Sequence, residues 1–115
     1  MSNKLASIQS KVADVHFWNT FIVQLQKDFS RAQIQVHFNG NSSLEEVVVE
    51  LNELLARLYT SDLNALNRLL YLVDVPQEVS EQIATSDNVI VENQLTQVIL
   101  WRTFQKIQLR LQYKQ

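Results

Sequence analysis

Two histidines, His16 and His37, are the side chains best able to bind a metal or move a proton near neutral pH. His16 follows Asp14 by two residues in a helical pattern, which turns the two side chains about 200° apart, so they form no ready pair. His37 lies on the polar side of an alternating run, and no ligand spacing links it to His16. Carboxylates recur at helical spacing in Glu46/Glu50 and Glu78/Glu81, but in an acidic, solvated stretch without the apolar surroundings that raise a pKa for acid catalysis. No Glu-x-x-His motif offers a di-metal site, and there is no nucleophile elbow. The one glycine, Gly40, rules out a glycine-rich phosphate loop, and N-capping is the simpler account of Asn41-Ser42-Ser43. The absence of cysteine removes disulfides, thiolate metal sites and a cysteine nucleophile. The expectation is a protein without catalytic residues, cofactor or metal.

Charge carries more information. The net charge of −2 hides three blocks. Residues 1–44 sum to +2, residues 45–92 hold ten acids against Arg57 and Arg68, and residues 93–115 hold four bases and no acid. Those four, Arg102, Lys106, Arg110 and Lys114, recur every four residues. Each i+4 step drifts by about 40°, which makes one gently winding basic stripe on a helix. Glu46, Glu50 and Glu53 make an acidic counterpart. The stripe reads as a docking surface for an acidic partner, as a solvated face complementing the helix dipole, or as a face packed against the acidic helix of the same or a second chain. Nucleic acid is ranked low, because the pI is near 5.6. A helix-turn-helix reading of 62–85 also puts Glu78 and Glu81, with no base, on the recognition helix, facing phosphates.

Phe17, Trp18 and Phe21 cluster early, and Trp101 and Phe104 late. Phe17 and Phe21 share a helix face, while Trp18 lies about 100° round. Either the helix is wrapped on two sides by the core, the favoured account, or an aromatic patch marks an interface. Trp18 and Trp101 therefore join the four basic residues as candidate partner-binding side chains.

The elements that must position these residues are mostly helical. In 115 residues, 46% hydrophobic, one glycine and one proline leave little turn chemistry for a sandwich or barrel. Leu5, Ile8, Val12 and Val15, resuming at Trp18, predict a helix over 3–30, bent or broken near Asp14–Asn19. Gln33–Phe38 alternates strictly and predicts an extended or β-like segment, with Val89-Ile90-Val91 its one short candidate partner. Asn39-Gly40-Asn41 follows as a turn. Ser43-Leu44-Glu45-Glu46 is a capping box opening a helix to about Tyr59. Asp62 caps the next, whose apolar stripe is Leu63, Leu66, Leu69/Leu70 and Val73. Pro76 starts a short helix, and Ser86-Asp87 caps a last one over 88–113 with an apolar face of Leu100, Phe104, Ile107 and Leu111.

Leu70 to Trp101, about a quarter of the chain, resembles death-fold adaptor domains, six-helix interaction modules. The stretch carries no specific motif, the alternating segment is foreign to that pattern, and no family is assigned. The expectation is a mainly α, single-domain bundle of four to five helices with one short extended segment near residues 33–38. With no apolar block of signal-peptide or membrane-span length, a cytoplasmic protein without membrane contact is expected. Its expected role is non-catalytic: self-association as a dimer, or docking of a protein partner through the C-terminal helix. The alternative is a regulatory domain binding a small molecule between helices near Trp18 or Trp101.

Overall fold

The computed structural model describes residues 3–84 and 91–113, and these form a mainly α fold. The order is α1 (Asn3–Gln9), α2 (Val15–Arg31), α3 (Leu44–Ser61), α4 (Leu63–Leu72), α5 (Gln77–Ala84) and α6 (Val91–Tyr113). Six helices replace the expected four to five, because the first apolar seam is cut in two. Asp14 is the cause: its carboxylate accepts from the Phe17 N–H at 3.1 Å and its carbonyl from Trp18 N–H, which starts a new helix. Val15, read as part of the seam, consequently falls on the outside and is 71% exposed.

The other helix starts follow their local chemistry. Ser43 and Glu46 form the reciprocal capping box at α3, and Asp62 caps α4 through the Ala65 N–H at 3.2 Å. Pro76 precedes α5, its carbonyl accepting from Val79 and Ser80 N–H groups. The proposed cap Ser86-Asp87 and most of Val89-Ile90-Val91 lie outside the described residues.

Helix α6 is the axis of the fold. It packs most extensively on α3 and also on α1, α2 and α5. Every residue from 93 to 107 is buried or half-buried, with Leu95, Ile99, Leu100, Phe104 and Ile107 in the core. Leu111, assigned to the apolar face, is 45% exposed, in a last stretch of α6 where residues 108–112 are all exposed.

The alternating run 33–38 forms no strand. Its two-residue period is nevertheless real in burial: Ile34 and Phe38 are buried and Val36 half-buried, while Gln33, Gln35 and His37 are exposed. A side chain supplies the hydrogen bonds that a partner strand would have given. The Gln26 amide donates to the Val36 carbonyl at 2.9 Å and accepts from the Phe38 N–H at 2.9 Å.

Two helices end in left-handed caps without glycine. Gln33 (φ 62°) follows α2, with Ile34 N–H bonded to Phe29 O; Asp74 (φ 68°) follows α4, with Val75 N–H bonded to Leu70 O. Both are Schellman closures. Gly40, by contrast, does not have a positive φ, and a Cβ there would meet only Asn19 Oδ1, at 3.8 Å. The glycine sits where a β-carbon is accommodated, and the positions favouring glycine lack it. In urea unfolding, Gly40→Ala should stabilise by about 0.5 kcal/mol through the unfolded chain. Gln33→Gly should add up to about 1 kcal/mol by relieving the left-handed backbone. A loss above about 1 kcal/mol for Gly40→Ala contradicts this account of the turn.

Candidate functional site

The basic stripe folds inward onto helix ends. Lys106 Nζ lies 3.0 Å from Asp28 Oδ2 and donates to the Leu72 carbonyl at 2.9 Å. The Asp28 side chain is 1% exposed and the Lys106 side chain 30%. Gln24 Nε2 donates to the other Asp28 oxygen at 3.2 Å, and the Arg110 guanidinium donates to Gln24 Oε1. One turn earlier, Arg102 Nη2 pairs with Asp74 Oδ2 at 3.0 Å, while Nη1 donates to Gln105 Oε1. Leu72 is the last residue of α4 and Asp74 its left-handed cap residue. Lys106 thus occupies an orphan helix-terminal carbonyl and neutralises a buried carboxylate of α2 in one contact. Lys114, the fourth member, lies outside the described residues.

The packed-face reading of the stripe thus describes Arg102, Lys106 and Arg110, but with a different partner. They meet α2 and the end of α4, not the acidic α3. Glu46, Glu50 and Glu53 stay exposed, and no ion pair to them occurs among the described residues. Sequence reasoning missed Asp28 and Gln24, both buried in a helix otherwise read by its apolar residues. Their signal was the i, i+4 spacing of two polar side chains on one side of α2.

The aromatics form a ladder between α2 and α6. Trp18 stacks on Phe21 with centroids 5.2 Å apart, and Phe17 meets Phe104 edge-on at 5.7 Å. Trp101 stacks on Phe104 at 5.3 Å. Trp18 is buried, its indole N–H donating 2.9 Å to the Ser42 carbonyl; Trp101 is half-buried. This is a core wrapped on two sides, as favoured from spacing. His16 and His37 are both exposed. Among the described residues no group of three or more His, Cys, Asp or Glu is placed to hold a metal ion, and no helix is long and apolar enough to cross a membrane.

The open surface feature lies elsewhere. A groove of about 650 Å³ runs between α4 and α5, floored by Leu66, Leu70, Val75 and Leu95. Its rim carries Tyr59, Leu63 and Tyr71, which are 43%, 52% and 82% exposed. Leu63, read as a core position, is therefore a rim residue: α4 opens at Leu63, and its buried face is Ala65, Leu66, Leu69 and Leu70. No family model, curated protein or solved structure matches this chain.

The ion pair makes a double-mutant prediction. Lys106→Ala strands the Asp28 carboxylate and should cost about 3 kcal/mol in denaturant unfolding, low in the usual range because the ammonium is partly solvated. Lys106→Met combined with Asp28→Leu should recover most of that loss. If Lys106→Ala stays within about 0.5 kcal/mol of wild type, the pair contributes no more than an ordinary surface ion pair.

Proposed function

We propose that this chain is a small, cytoplasmic, non-catalytic helical protein that works by self-association. The supporting observation is the Tyr59, Leu63 and Tyr71 rim. Three large apolar side chains left open on one groove of a small protein are the composition expected of an interface. The described cations of the C-terminal helix are engaged within the chain, so its basic stripe is a weaker docking surface than its sequence implied. A second reading, a small-molecule-binding regulatory domain, is favoured by the volume of the same groove, which lies in the range of ligand pockets but is lined by neither Trp18 nor Trp101, where the sequence placed that pocket.

Sedimentation equilibrium from about 1 to about 500 μM tests the first reading. The weight-average mass should climb from 13.4 kDa toward twice that value. A constant 13.4 kDa across the series, together with a saturable thermal stabilisation by a metabolite class, selects the second reading.

A further inference from the structure

Leu63, Asn67 and Tyr71 recur every four residues along the outside of α4, and Tyr59 continues the interval backwards onto the end of α3. All four are exposed. Successive i+4 positions of one helix stack one above another with a slow drift, so Leu63, Asn67 and Tyr71 form a ridge on α4; Tyr59 belongs to α3, across the break at Asp62, and lines the same groove. The ridge separates two grooves, because Asn67 and Tyr71 line both. On one side is the apolar groove, with Glu81 in its α5 wall. On the other is a groove of about 620 Å³ flanked by Arg31 and Arg68. Arg68 is held in place by its Nε, which donates to the Ala32 carbonyl at 3.0 Å, and neither arginine pairs with a carboxylate among the described residues.

We propose that α4 is the self-association face, and that its occupant is α4 of a second copy, the ridge of each copy seated in the apolar groove of the other. The proposal rests on the self-association reading and names the surface that carries it. A ridge beside an apolar groove is complementary to itself, which is the requirement of an isologous twofold contact. The charges choose the sense of the pairing. With the twofold axis along α4, the Arg31/Arg68 flank of the inserted ridge lies against the α5 wall that carries Glu81, cation facing carboxylate. With the axis perpendicular to both helices, that flank meets its own copy, arginine against arginine, which is repulsive. The favoured sense sets every α4 residue level with its own copy, so the two Asn67 amides can bond to each other.

The other exposed apolar side chains do not make a comparable surface. Val15 and Val23 are on α2, Val49 is on α3, and Leu109 and Leu111, two residues apart on α6, point to opposite sides of that helix.

Sedimentation equilibrium on Leu63→Glu and Tyr71→Glu, with Leu109→Glu as control and circular dichroism to verify the fold, tests the face. Each α4 variant should raise the dimer dissociation constant about tenfold or more, as loss of a central apolar anchor does. Leu109→Glu should leave it unchanged. Arg31→Glu and Glu81→Arg should each weaken the dimer, and the double swap should restore it. Asn67→Cys, the one thiol in a chain without cysteine, should give a disulfide-linked dimer under mild oxidation at the protein concentration where wild type is dimeric. If wild type dimerises while both α4 variants match it and Leu109→Glu dissociates it, the α4 face is overturned and self-association stands. If wild type stays at 13.4 kDa throughout, self-association itself falls, and this face with it.

Discussion

The contact on which the arrangement of the helices turns is Lys106 with Asp28 and the Leu72 carbonyl. A carboxylate with 1% of its side chain exposed is sustained only if a cation and hydrogen-bond donors reach it, and these come from α6, 78 residues away, and from Gln24. The same ammonium closes the end of α4, so one side chain ties α2, α4 and α6 together. Such a pair adds little stability over apolar residues of equal volume. It acts against alternatives: turning α6 by one residue, about 100°, would take the ammonium off Asp28 and leave a buried charge unpaired.

The pair does not fix everything, because the stripe repeats. A slide of α6 by one turn would bring Arg102 or Arg110 to the place of Lys106. What resists the slide is the apolar packing beside it. Phe17 against Phe104, with Trp18 on Phe21 and Trp101 on Phe104, is a run of unlike shapes that does not superpose on itself after a shift of one turn. Rotation is thus governed by charge and translation by the aromatic ladder. The Trp18 indole and the Gln26 amide extend the same logic to the connection between α2 and α3, satisfying backbone groups that have no strand or helix to join.

What could be read from the sequence follows this division between local and distant causes. The capping box at Ser43, the cap at Asp62 and the apolar stripe of α3 were legible because each is decided within one or two turns. The break at Asp14 was half-legible: its capping chemistry is local, but the apolar seam runs on across it and hides the interruption. The alternating run at 33–38 showed its period but not its partner, since a glutamine amide in a helix leaves no periodic trace. The stripe on α6 showed its shape and not its direction. A helix half-buried along most of its length has no polar face to contrast with an apolar one, and the acids it meets belong to α2 and the α4 cap, singly and far away. The left-handed caps were hidden for different reasons: Gln33 is a residue type that rarely adopts that backbone, and Asp74, which adopts it more readily, carries no glycine to mark the helix end.

Folding the basic stripe inward also changes what the surface offers. Two of the four positive charges of the last block are paired with Asp28 and Asp74, which weakens the positive field that block presents at the surface. The proposed self-association accordingly relies on shape and apolar area more than on net charge. The α4 ridge has both, and the charges around it are opposite in sign on its two sides: Arg31 and Arg68 on one flank, Glu81 across the groove on the other. A single-sign patch attracts any oppositely charged surface, and is indifferent to orientation. A ridge with opposite flanks is selective, because just one sense of approach pairs both flanks at once.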